Sequence, residues 1–405
     1  MLKNVQSQYL KNIATIMSGT IGMQMILFMS LPIITGIFSP ENYGLYSESL
    51  SYALILSAVL VLGLDRAIPL SSKNDIDSNS FFLLLLSLFF SLLIFVLLFF
   101  LFENREKYIY ILVLSLGFCL FNILNFRLIS ENDYKFDAMV RCYQVALLSI
   151  MQIISGFFFP NYVSLSLSDF FSKVLVLIYS VPKSFKFIFK NSLTFFLGKK
   201  EFYTYGLMST ILTSISMNIP IILIGYYYGS KYVGLFFLAQ KLTTAPVTLL
   251  GTSISKAYYI KMNEIKYSNG DIMAFFLYNL KKTCILAMLL VPALYIFSLF
   301  FPLFFNEEWG DASIFLLLLI PLVFGQMIYN PISMTITVLN KQKYDLIFSL
   351  LRVVGVFILF KMSSHFEVSI FKTILNYSLW MMTLYISMTL VSYWCVSTKF
   401  VMKTD

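Results

Sequence analysis

Long apolar runs separated by short polar turns make up almost the whole chain, and their lengths predict helices that cross a membrane. Twelve are expected, over 13–37, 45–64, 81–102, 108–129, 143–159, 163–182, 204–227, 235–257, 283–305, 313–339, 345–361 and 369–395. An apolar run of about 20 residues matches a hydrocarbon core roughly 30 Å thick. A helix also satisfies its own backbone groups, which that medium demands. Between the sixth and seventh runs the pattern changes. There Lys183, Lys186, Lys190, Lys199 and Lys200 flank the apolar stretch Ser192 to Leu197. This composition predicts a basic amphipathic linker over 183–203, lying on the inner membrane surface and joining halves at 1–182 and 204–405.

The two halves carry related segments. Met29-Ser30-Leu31-Pro32-Ile33-Ile34-Thr35-Gly36 turns at Ser39-Pro40-Glu41-Asn42 and restarts with Tyr43-Gly44-Leu45-Tyr46. Met217-Asn218-Ile219-Pro220-Ile221-Ile222 runs to Gly225, turns at Gly229-Ser230-Lys231 and restarts with Tyr232-Val233-Gly234-Leu235-Phe236. Proline and glycine each do a specific backbone job, so their shared order is more informative than shared apolar letters. The chain therefore reads as two related six-helix bundles. Pro32 and Pro220 are candidate hinges, since each removes a backbone hydrogen bond at the same place in its half; a static kink is the alternative.

Composition agrees with this reading, with 59% hydrophobic and only 12% charged residues, against roughly 25% charged in soluble domains. The first run is too long for a signal-peptide core and lacks a small-residue cleavage site, so it is expected to be retained. The net charge of +9 is informative through its distribution. With the N-terminus in the cytoplasm, only Arg105, Lys107, Lys231 and Lys361 fall outside, and only Lys173, Lys241, Arg352 and Lys372 fall within spans. All other Lys and Arg lie on the cytoplasmic side, which predicts cytoplasmic termini and argues against a nucleic-acid partner. Cys119, Cys142, Cys284 and Cys395 have no paired spacing, and His365 is the single histidine, so neither a disulfide framework nor a multi-histidine metal site is expected.

Ionisable residues inside spans are costly and point to function. Lys241 lies in span 8 beside Gln240 and is a candidate contact for an anionic substrate, with snorkelling to the outer interface as the alternative. Arg352 in span 11 offers five donors suited to phosphate. Lys173 is nearest the midplane, but Asp169 precedes it by one helical turn and an intrahelical ion pair competes with substrate binding. Arg66, beside Asp65 at the inner end of span 2, faces the leaflet from which substrate would enter. Gln24, Asn218 and Asn330 are candidates to line a polar cavity or to bond between helices. Glu48 and Asp169 are candidates for H+ or Na+ coupling; a carboxylate at Glu48 also suits the helix dipole.

Pro40-Glu41-Asn42-Tyr43-Gly44-Leu45-Tyr46 after span 1 resembles the Wzx-type O-antigen flippases of the MOP superfamily. Tyr232-Val233-Gly234-Leu235-Phe236, Ala239-Gln240-Lys241-Leu242 and Leu250-Gly251-Thr252-Ser253-Ile254-Ser255-Lys256 are similar to that family's span 8 region. Leu303-Phe304-Phe305 with Glu308-Trp309, and Val338-Leu339-Asn340-Lys341, flank span 10 as they do in the family. The resemblance implies a MATE-like, V-shaped transporter of twelve helices in the bacterial inner membrane. It also implies an undecaprenyl-pyrophosphate-linked oligosaccharide moved to the outer leaflet. Polymerase and chain-length proteins of the same pathway would be its partners, together with membrane lipids.

Two rivals are weighed against it. A multidrug exporter of the same superfamily would favour buried carboxylates for cationic drugs, whereas the charges inside these spans are mainly basic. A membrane glycosyltransferase or polymerase needs a large outer loop for its site, and the outer loops here are short. No phosphate-binding glycine-rich loop follows a strand, which argues against direct ATP drive. No resident cofactor is expected.

Overall fold

The computed structural model describes residues 2–72, 75–101, 105–131, 133–184, 195–196, 204, 206–268 and 270–401. Most of the linker expected over 183–203 lies outside the described residues. Among the described residues, ten helices are long and apolar enough to cross a membrane, and two bent pairs raise the number to twelve when each counts as one span. The expected all-α polytopic architecture is what the chain adopts. Backbone contacts group 1–225 and 226–405 as two compact units, so most of the seventh helix counts with the first unit.

The first unit contains α1 (Leu2–Ile37), α2 (Pro40–Leu60), a 3-10 helix (Leu64–Leu70), α3 (Ile76–Leu101), α4 (Arg105–Ser130), α5 (Tyr134–Phe158) and α6 (Tyr162–Ser184), followed by most of α7 (Leu207–Tyr228). The restart seen in the sequence is a capped helix start. Ser39 accepts from the Asn42 amide, Pro40 opens the first turn and Glu41 follows, a combination that satisfies the free amides and complements the dipole. α1 packs on α5, α2 on α4 and α6, and α3 on α4. Small residues permit these approaches. A Cβ on Gly19 would sit 2.6 Å from that of Ala138, and one on Gly156 would meet the Phe38 ring at 2.7 Å. Close backbone approach matters here because lipid is as apolar as a leucine face and supplies little drive for association. α3 shows this from the other side, with Leu88, Phe89, Leu92 and Phe100 exposed along its length.

Span 2 does not run straight to residue 64 as the apolar pattern suggested. α2 stops at Leu60, and the 3-10 helix leaves it at 55°. The elbow is made by Leu62 (φ +52°) and Gly63 (φ +67°). The left-handed region is easy for glycine but costs a side chain such as leucine about 1–2 kcal/mol. Leu60, Val61, Leu64, Ala67 and Ile68 pack at the elbow with Ile76, Leu83, Cys119 and Ile123, all almost inaccessible. The Cys119 thiol donates to the Ser57 carbonyl near the end of α2.

The second unit contains α8 (Ser230–Tyr267), α9 (Ile272–Leu299), α10 (Gly310–Leu318), α11 (Ile320–Tyr329), α12 (Met334–Val338), α13 (Lys343–His365) and α14 (Ile370–Val401). At 38 residues α8 is about 57 Å long at 1.5 Å per residue, well beyond the hydrocarbon thickness. Span 10 is also broken. Its segments Glu307–Leu318 and Ile320–Val338 meet at 47°. The break exposes backbone donors in an apolar unit, and the Ser378 hydroxyl of α14 accepts one of them, the Leu322 amide, at 2.9 Å. Gly355 lets α13 meet α14, since a Cβ there would fall 2.4 Å from the Trp380 ring. Tyr228 bonds the Val368 carbonyl and Thr373, tying the end of α7 to the α13–α14 turn.

Candidate functional site

In the first unit the polar groups converge between α2, α5 and α6. The Asp169 carboxylate pairs with Lys173 one turn later, both almost fully buried. The Tyr46 hydroxyl of α2 donates to the other carboxylate oxygen at 3.3 Å, and the Lys173 ammonium lies 3.8 Å from the centre of the Phe118 ring. Gln144 of α5 donates to Ser172, whose hydroxyl donates to the Asp169 carbonyl. Ser155 bonds Ser168 across the same seam. Lys173 therefore follows the ion-pair alternative, held by charge, ring and burial together. Glu48 also meets a base, Lys107 of α4, at 3.1 Å.

A second charged knot closes the α3–α4 end. Arg127, fully buried, donates Nε and Nη2 to Asp77 and both terminal nitrogens to Glu131. Burial raises the Glu131 carboxyl above its ordinary range, with the Arg127 charge opposing that rise.

In the second unit the chemistry centres on Arg352. This residue is 5% exposed, and its guanidinium donates through Nη2 to the Tyr385 hydroxyl of α14 at 2.6 Å, a distance typical of a charge-assisted bond. The Phe348 and Tyr385 rings lie 5.1 and 5.6 Å from it. Gln326 of α11 donates to the same Tyr385 oxygen. Tyr329 packs against both rings and donates to Asp345. Three helices thus converge on a guanidinium seated by a phenol and ring faces. Such a group can orient a charge toward an anion. Lys241 has a separate aromatic seat, 4.5 Å from the centre of the Phe237 ring, and is half-buried.

The remaining candidates are dispersed. Arg66 is exposed on the 3-10 helix beside the buried Asp65. Gln24 is half-buried on α1. Asn218 donates to the Ser214 carbonyl of its own helix. Asn330 begins the short 3-10 turn Asn330–Ile332, close to Gly251 of α8. Pro32 and Pro220 both lie inside continuous helices, α1 and α7. Tyr46, Tyr385, Gln326 and the Arg127 knot were not anticipated. Apart from Glu131, which stands one turn after Arg127, their partners lie 33 to 123 residues away in the chain, beyond any local spacing rule.

Residues 33–314 match a family model described as polysaccharide biosynthesis protein. The chain belongs to this family. The match takes in Arg66, Lys173 and Lys241 and stops short of Arg352. A curated relative, the teichuronic acid biosynthesis protein TuaB of Bacillus subtilis, is 27% identical over 155 residues, 37% of this chain and 32% of its own. The match thus spans about a third of that relative's length. Among solved structures, lipid II flippase MurJ in an inward closed conformation aligns with a TM-score of 0.66 at 15% identity, over 94% of this chain and 87% of its own. A MATE structure in complex with MaL6 gives 0.60 at 14% identity, covering 96% of each chain. A MOP superfamily transporter from Pyrococcus furiosus gives 0.56 at 14% identity, also covering 96% of each. At these identities the shared property is the fold. The family member described here has the fold of these MATE and MurJ structures.

Proposed function

We propose that this chain is a flippase that carries an undecaprenyl-pyrophosphate-linked oligosaccharide repeat unit, of the O-antigen type, from the cytoplasmic to the outer leaflet by alternating access. Family membership supports a role in polysaccharide assembly, and the fold is one used by lipid-linked saccharide and multidrug transporters alike. One observation favours an anionic cargo. Arg352 is a guanidinium kept inside a membrane-spanning bundle by Tyr385 and two ring faces, and a cation at that depth is costly unless it is used. Lys241 supplies a second cation on α8, and Arg66 a third where the lipid pyrophosphate would be collected. Gln24 and Asn218 add polar contacts for the sugar head.

In this reading the protein sits in the bacterial inner membrane with both termini cytoplasmic. The halves 1–182 and 204–405 alternate about Pro32 and Pro220, and polymerase and chain-length proteins receive the flipped unit. Asp169 and Glu48 serve coupling, because H+ or Na+ would compete with Lys173 and Lys107 for their carboxylates.

The test is surface display of lipid-linked glycan in a flippase-deficient bacterium carrying the wild type, Lys241→Ala or Arg352→Ala, with membrane protein level measured. Wild-type rescue and a normally produced but inactive Arg352→Ala variant support the proposal. A wild type that rescues no glycan pathway but confers drug resistance overturns it in favour of the exporter.

A further inference from the structure

The elbow of span 2 is completed from far along the chain. Phe195, from the connection between α6 and α7, is 7% exposed and packs in the same cluster as Leu60, Val61, Leu64, Ala67 and Ile68. Phe196 lies beside it and meets Phe82 of α3 edge-to-face, ring centres 6.4 Å apart. The strained Leu62 packs on this cluster too. A left-handed leucine persists only where its surroundings over-determine it. On one side those surroundings are α3 and α4, which are continuous helices held together by the Arg127 knot. On the other they are two adjacent phenylalanines from the connecting segment.

We infer that Phe195 and Phe196 form a latch that holds the 3-10 helix Leu64–Leu70 at its angle to α2. When the pair withdraws, Leu62 loses the packing that maintains its backbone, and the 3-10 helix is free to swing toward the axis of α2. Arg66 sits on the outer face of that element, so the swing relocates its charge. Apolar wedges suit a latch because they make many weak contacts that release together.

The experiment reads distance and does not depend on the cargo. Arg66→Cys and Lys135→Cys are introduced in a Cys142→Ser, Cys284→Ser background of the full chain, spin-labelled and reconstituted in nanodiscs. Pulsed electron-electron resonance then gives the distance distribution between the labels. One narrow population is expected with the latch in place, splitting into two in Phe195→Ala/Phe196→Ala. Phe82→Ala, which leaves the connection intact and removes the partner of Phe196, is expected to shift the same population in the same direction. If either variant unfolds cooperatively like the parent yet keeps the parental distribution, the pair is static packing and the latch is wrong. A parental distribution already as broad as that of the variants overturns it equally. Should the double variant fail to fold, Phe82→Ala and Phe195→Leu decide between the same two outcomes.

Discussion

The two units hold the bases of their helices in different ways. In the first, Lys173 lies on Asp169, Arg127 on Asp77 and Glu131, Arg141 on Asp137, and Lys107 on Glu48. In the second, Arg352 is gripped by a phenol oxygen and by ring faces. A carboxylate cancels a charge while fixing it in place. Neutral groups orient a guanidinium without cancelling it. The first arrangement sets opposite charges against each other, and the second seats a cation against a hydroxyl and aromatic rings. Charge placement, more than charge number, separates a structural pair from a candidate site.

The sharpest way to break this comparison is Asp169→Asn. It leaves Lys173 buried beside a neutral amide, and losing one partner of a buried pair costs about 3–5 kcal/mol. A large drop in thermal unfolding temperature in detergent is expected, with much of it recovered in Asp169→Leu/Lys173→Met. A single variant as stable as the wild type would show that the first unit does not rely on the pair. Arg127→Met comes next. Asp77 and Glu131 are partly exposed, so water relieves them and the expected loss is about 1–3 kcal/mol. Limited proteolysis near the α3–α4 end is the readout, and unchanged cleavage would mean that the knot adds little.

In the second unit Tyr385→Phe keeps the ring and removes the hydroxyl. A hydrogen bond to a charged group contributes roughly 1.5–3 kcal/mol, and the loss of glycan display is expected to exceed the loss of protein. Equal losses would assign Tyr385 to folding alone. Lys241→Ala has the smallest expected effect on stability, below about 1 kcal/mol for a half-buried lysine. If the thermal shift is nonetheless large, Lys241 belongs with the structural bases of the first unit.

Some of this was readable along the chain. Asp169 and Lys173 stand four residues apart, so their pairing follows from helical geometry. The elbow of span 2 was not readable, because Leu60 to Leu64 is an unbroken apolar run and its glycine is compatible with a helix. The pairing of Arg127 with Asp77 bridges 50 residues and has no periodic signature. Arg352 was readable as a costly group inside span 11, but Tyr385 as its partner was not.

By itself, then, the sequence determined the helical class, the series of apolar helices long enough to cross a membrane, the repeated proline-turn-glycine segment and the ion pair of α6. Each of these answers to a local demand, since the hydrocarbon core requires apolar length and internally satisfied backbone over consecutive residues. Only the tertiary structure decided which helix faces meet, where spans 2 and 10 break, and which oxygen holds each buried base. Those choices depend on the rotation of helices whose apolar residues surround the axis almost evenly. With lipid on one side and protein on the other, composition alone does not distinguish the faces.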